Sequence, residues 1–182
     1  MKVHDISLYE LAGETLLGVH YSHQPRLTEL KTSSWNSGDG MPGAERDRAE
    51  SYPEWFIKNR IYFYRAGTDF KKESGTGDNK YYATLSNVYD WDEDPKGFHE
   101  QAVEKAKQEY QDNQKQLMKK IGIDDPDINP NHYDSALAQT IEEALIKKAG
   151  YNGFYSQQSN QTIVYFHNVN DLSRTLKSSQ LT

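Results

Sequence analysis

The chain contains no cysteine in its 182 residues. Disulfides, thiolate metal sites and a cysteine nucleophile are therefore excluded, and a reducing cytoplasm suits the composition. Apolar residues are also scarce, at 35% of the chain with a mean hydropathy of −0.94. No run approaches the roughly eighteen consecutive apolar residues of a membrane span. The N-terminus lacks the charged start, apolar stretch and small-residue cleavage site of an export signal, so we expect neither a membrane-spanning nor an exported protein. Cations are the minority charge, with 21 Lys and Arg against 27 Asp and Glu for a net charge of −6. This argues against a general nucleic-acid binder, which needs clustered Lys and Arg, although a local basic groove remains open. The acidic runs Asp90-Trp91-Asp92-Glu93-Asp94 and Asp124-Asp125-Pro126-Asp127 lack the turn glycine and closing glutamate of a calcium loop and read as solvated loops.

Aromatic residues are plentiful: 13 Tyr, 6 Phe and 3 Trp. Tyrosine buries a large ring while its hydroxyl seeks water or a partner, so this composition suits a small aromatic core, a wet cleft or an interface. The length fits a single domain spanning residues 1–182.

Local patterns place the elements. Residues 1–12 read as an irregular lead-in or short helix. Leu16 to Tyr21 reads as a buried strand between Gly13 and Pro25. The segment from Leu27 to Trp55 reads as loop, with one helical turn near Ala44 to Ser51. Arg60 to Arg65 and Tyr81 to Leu85 read as two further strands, expected to pair as a hairpin with a long tip. Gly97 to Ile121 carries a broken apolar stripe of Phe98, Ala102, Val103, Ala106, Tyr110, Leu117 and Ile121, and predicts a helix. A second helix is expected over His132 to Lys148, with Gly150 as its stop. A final hairpin joins Gly153–Ser156 to Thr162–His167, and the tail from Ser173 to Thr182 is expected to fray. Strands and helices do not alternate regularly, so the fold class is α+β, with a helical insertion at about 97–148. The heptad seam of the long helix breaks at Asn113-Gln114, which favours a monomer over a coiled coil.

The chemistry-bearing residues are few. His20 and Tyr21 fall on opposite faces of the first strand, so one can face a cleft while the other packs. His20 alone reads as a structural histidine or as a ligand-binding one. His4 and His23 do not complete a metal-binding spacing with it, and no metal is expected. Ser22 lies in no nucleophile elbow. Gly38, Gly40 and Gly43 space a loop without the Lys-Ser/Thr of a phosphate-binding Walker sequence. Glu45, Arg46 and Arg48 follow at a helix start that could attract a phosphate, or could equally be an exposed turn with surface charges.

In order along the chain stand His20-Tyr21-Ser22 with Leu27-Thr28-Glu29-Leu30, Gly38-x-Gly40-x-x-Gly43-x-Glu45-x-x-Arg48, Ile61-Tyr62-Phe63-Tyr64, Ala149-Gly150-Tyr151-Asn152-Gly153-Phe154-Tyr155 and Thr162-Ile163-Val164-Tyr165-Phe166. This series resembles the ADP-ribosyltransferase-like domains of bacterial and phage toxin or effector proteins, and it touches most of residues 16–170. The resemblance implies a split β-sheet gripping NAD⁺ in a cleft between two small sheets. It further implies transfer of ADP-ribose to a protein or nucleic-acid acceptor, in the producing cell or after delivery into a host. It puts His20 against the adenosine-side ribose and the nicotinamide end, with Tyr21 adjoining. Tyr62 or Tyr64 is implied to stack on nicotinamide. The cofactor-binding set it implies is His20, Tyr21, Ser22, Arg48, Tyr62 and Tyr64, and the catalytic set is His20, Tyr62 and Gln161. The chain departs from the family where a glutamate is usual before the last long strand: Ser159-Asn160-Gln161-Thr162 holds no acid. A glutamine keeps a hydrogen bond but loses the negative charge that favours an oxocarbenium-like transition state, a loss worth about 10²–10³ in rate. Gln161 is thus a weakened catalytic residue, a binding residue in an inactive relative, or a turn residue.

Overall fold

The computed structural model describes residues 13–32, 43–58, 60–124 and 126–175. The lead-in with His4, the loop holding Gly38 and Gly40, and the end of the tail lie outside the described residues. The chain divides into two compact units. One comprises Met1–Ser34, Asn59–Glu93 and Gly150–Thr182, and the other Trp35–Lys58 and Asp94–Ala149. The architecture is mixed α+β, with three helices and five strands described.

The first unit is a closed sheet of β1 (Glu14–Ser22), β2 (Ile61–Arg65), β3 (Asn79–Asp90), β4 (Gly153–Ser156) and β5 (Thr162–Tyr165), ordered β1-β2-β5-β4-β3. The alternation of strand side chains explains its interior. Leu16, Phe63, Leu85, Tyr155 and Ile163 from the five strands share one buried cluster. Gly18 belongs to the same face of β1. A β-carbon there would lie 2.7 Å from Leu85 Cδ1 and 3.0 Å from Phe63 Cβ, so the interior leaves room only for glycine.

The expected pairing of β2 with β3 is corrected. Both pair antiparallel with β1, on its opposite edges, through Gly18↔Arg65 and Val19↔Tyr64 on one side and Leu16↔Leu85 to Ser22↔Asn79 on the other. Residues 66–78 between them form a connection too long for a tight hairpin, and it crosses to the far edge of β1. The late hairpin is as read from the sequence: β4 and β5 pair antiparallel from Gly153↔Tyr165 to Ser156↔Thr162. β3 bulges against β1 between Leu16↔Leu85 and Glu14↔Val88, and it also pairs parallel with β4 over Val88↔Gly153 to Asp90↔Tyr155. Asn87 lies in that bulge, in a left-handed conformation of φ 56°. Its side chain accepts from Gly13 N at 2.9 Å and donates to Gly150 O at 2.8 Å.

The second unit holds α1 (Gly43–Ser51), α2 (Phe98–Lys120) and α3 (Ser135–Lys148). The Asp94 carboxylate caps α2 by accepting from Phe98 N and His99 N at 2.8 and 3.0 Å. Asp134 caps α3 through Ala136 N and Leu137 N, and lysines close its last turn where they complement the helix dipole. Ala102 and Ala106 of α2 pack with Leu137, Ala138 and Ile141 of α3, the alanines permitting close approach. The stripe predicted on α2 stops short: Leu117 and Ile121 are 52% and 65% exposed. The last turns of α2 find no apolar cover among the described residues.

Candidate functional site

The barrel unit concentrates polar groups around the end of β2 and the start of β5. Arg65 follows Ile61 and Phe63 on the core-facing side of β2, and its guanidinium lies 4.8 Å from the centroid of the Tyr155 ring. Tyr155 is only 4% exposed, and its hydroxyl donates a short hydrogen bond to Gln161 Oε1. Arg65 N in turn donates to Gln161 O at 2.8 Å, so backbone and side chains of the three residues converge. Among the described residues the Arg65 guanidinium has no carboxylate partner.

The β4–β5 turn that carries Gln161 is held in an unusual shape. Asn160 and Gln161 both adopt left-handed conformations, at φ 58° and 60°, each costing a non-glycine residue about 1 kcal/mol. Surrounding bonds maintain it. Asp92 accepts from Ser156 Oγ at 3.0 Å and from Gln157 N at 2.5 Å. Asn160 exchanges two 2.8 Å bonds with the backbone of Lys71. Asp92, read from the sequence as part of a solvated loop, is thus a fastener of this turn. Thr162 N donates to Ser159 O at 3.2 Å across these two residues, and a pair of left-handed central residues is the usual geometry of such a hairpin turn.

His20 sits one step beyond Gly18 on the core-facing side of β1, with its ring 5.7 Å from that of Phe63. Its Nδ1 is 2.9 Å from Tyr62 O, which only a protonated Nδ1 can satisfy. Burial lowers its pKa, outweighing the opposing pull of that carbonyl. The imidazole is therefore neutral near pH 7, with Nε2 left as a lone-pair acceptor. His20 lies diagonally from Arg65 across the β1–β2 pair, since Gly18 is the residue opposite Arg65.

The remaining residues picked out in the sequence lie elsewhere. Tyr62 and Tyr64 share the face of β2 opposite Ile61 and Phe63, away from the core. Tyr64 stacks on Phe70 at 4.5 Å with an interplanar angle of 2°, and Tyr21 meets both rings edge-on. Burial also raises the Tyr64 pKa. Lys72 lies 5.3 Å over the Tyr21 ring and pairs with Asp78. Beyond these rings a groove of about 850 Å³ is lined by His23, Lys71, Lys72, Ser74, Thr76 and Asn160. Ser22 Oγ accepts from Gln24 N at 3.1 Å, shaping the exit from β1. The loop passes so close to that exit that a β-carbon on Gly77 would fall 2.1 Å from His23 N. Arg48 belongs to the helical unit, where it bonds Glu143 at 3.3 Å and approaches Glu45 at 4.0 Å. Among the described residues no cluster of three metal-binding side chains occurs.

Gln161 thus lies beside Arg65 and Tyr155, which the sequence analysis did not single out, and His20 lies on the strand paired with that of Arg65. The overlooked signal was the two-residue period: a cation in the alternating series Ile61, Phe63, Arg65 marks a charged group on a core-facing side. Comparison of the chain with protein-family models, with curated proteins and with solved structures yields no match.

Proposed function

We propose that this chain is an ADP-ribosyltransferase-like domain that binds NAD⁺ and transfers its ADP-ribose to a macromolecular acceptor. The observation that carries the reading is the convergence of Arg65, Tyr155 and Gln161 at the chain position where the family resemblance places the ribose-binding acid. One feature supports it. His20 offers a neutral Nε2 acceptor suited to a ribose hydroxyl. The five strands close on one shared core, so the split sheet that the resemblance implies is not the arrangement described.

In this scheme the bond between nicotinamide and ribose C1′ breaks, its electron pair leaves with nicotinamide, and an acceptor nucleophile bonds C1′ and loses its proton. Gln161 would hold a ribose hydroxyl through its amide without supplying negative charge, so slow transfer is expected. Binding without turnover is the second reading. It is favoured because Gln161 Oε1 already accepts from the Tyr155 hydroxyl, which ties the side chain into the fold.

Calorimetric titration with NAD⁺, paired with measurement of nicotinamide release in the presence of cell lysate, tests both. Binding with release and a labelled acceptor supports transfer. Binding with neither supports the second reading, and absence of NAD⁺ binding removes both.

A further inference from the structure

In the helical unit α2 outruns its partner. It has 23 residues against the 14 of α3, and an excess of nine residues is about 14 Å of helix. The chain leading into α3 meets α2 at Tyr110, whose ring lies 4.5 Å from that of His132, and at Gln111, whose amide donates to Pro130 O at 3.1 Å. Beyond Gln111 every side chain of α2 is exposed except the half-buried Gln114 and Met118. The apolar stripe nevertheless continues. Leu117 and Ile121, four residues apart and so on one face, are 52% and 65% exposed, and Ile123 is 43% exposed. Gly122 reverses the chain at φ 83°, and Ile123 N donates to Met118 O at 3.0 Å, which brings Ile123 back over the last turn. Among the described residues, the large apolar side chains left exposed are these three, and all belong to this one tip.

Charge is ordered around the tip. Lys115, Lys119 and Lys120 stand on the helical side, and Asp124 and Asp127 stand beyond Gly122, all of them exposed. A partner carrying one sign of charge would meet its own sign at one end. A second copy turned end for end meets the opposite sign at both ends, the self-complementarity that a two-fold interface requires.

We propose that the end of α2 is a self-association surface, on which two copies of this chain pair antiparallel. Leu117 and Ile121 pack on their counterparts, and Lys120 faces the partner's Asp124. The seam break at Asn113-Gln114 confines the contact to the last turns of α2 and the residues that follow. So short a contact is small beside the roughly 1,200–2,000 Å² that a stable interface buries, and the pair therefore forms weakly and reversibly. The proposal does not depend on the nucleotide reading.

Sedimentation velocity of the full chain, over a roughly hundredfold range of concentration reaching the millimolar level, is expected to show a monomer–dimer equilibrium. Leu117→Gln/Ile121→Gln should weaken it at least tenfold. Lys120→Glu and Asp124→Lys should each weaken it alone, because each homodimer then places like charges together. An equimolar mixture of those two variants should recover wild-type association, because both of its cross-pairs again join opposite charges. Circular dichroism verifies that each variant is folded, and all the substituted side chains are exposed. A monomer at every concentration overturns the proposal, as does association that ignores Leu117 and Ile121 or a mixture that fails to recover. Co-sedimentation of monomeric wild type with phosphatidylserine vesicles, lost in Leu117→Gln/Ile121→Gln, would also overturn it, by showing that a membrane covers the tip.

Discussion

His20 and Glu142 are both pushed toward their neutral forms by burial, with opposite consequences for pH dependence. Glu142 is 2% exposed on α3, and desolvation raises its pKa from 4.5 to about 7. His99, whose Nδ1 lies 3.2 Å away, opposes that shift, while Asp94 and Glu143 add to it. Between pH 4.5 and 7 the folded chain therefore holds a proton at Glu142 that the unfolded chain has released. Stability is lost as pH rises through that window, by an amount on the order of 3 kcal/mol. His20 acts in the reverse sense. Its lowered pKa means that acid favours the unfolded chain once pH drops below 6.5. We expect Glu142→Gln to unfold at a higher temperature than wild type at pH 8 and at nearly the same temperature at pH 5. Thermal melts across that range decide it, and an unchanged difference between the two pH values would show that Glu142 ionises freely in the folded chain.

The elements most exposed to single changes are those where backbones approach closely. On β1, Gly18→Ala must displace Leu85 Cδ1 or the Phe63 side chain. Overpacking of this kind costs about 1–3 kcal/mol, so the urea midpoint should fall without a change in slope. A midpoint equal to wild type would mean that the barrel interior has slack at that level. The β4–β5 turn is a second such element. Its paired left-handed residues depend on Asp92, and Asp92→Ala leaves the Ser156 hydroxyl and the Gln157 amide without their acceptor. We expect Asp92→Ala to cost roughly 1–3 kcal/mol and to weaken NAD⁺ binding without touching the ligand, because Gln161 loses its fixed position. Unaltered affinity would show that Gln161 keeps its position without Asp92. Most elements were legible from short-range pattern. The run Gly153 to Ser156 and the two long helices emerge near their observed limits, because two-residue and 3.6-residue periods and capping residues are local properties. The apolar stripe of α2 misled at Leu117 and Ile121, since periodicity predicts a face without showing what covers it.

For the molecule as a whole, two compact units are built from interleaved stretches of chain, and the proposed site lies in the barrel unit alone. Ligand binding should therefore slow hydrogen exchange chiefly at the ends of β1 and β2 and in the turn from Ser156 to Thr162. Protection by NAD⁺ confined to α1, α2 and α3 would move the nucleotide away from Arg65 and Gln161. No described helix is long and apolar enough to cross a membrane, in line with the low hydropathy.

Composition and local spacing were sufficient to exclude thiol chemistry, to assign the α+β class and to draw attention to His20 and Gln161. Those properties depend on residue type and on neighbours a few positions away. Tertiary structure decided which strands pair and which charges meet. It placed β1 between β2 and β3, joined Arg48 to Glu143 across 95 positions, and brought Arg65 over Tyr155 beside Gln161. Loop-closure entropy grows only slowly with separation, so sequence distance alone does little to discriminate among such distant partners. Only the packing of each unit as a whole selects one.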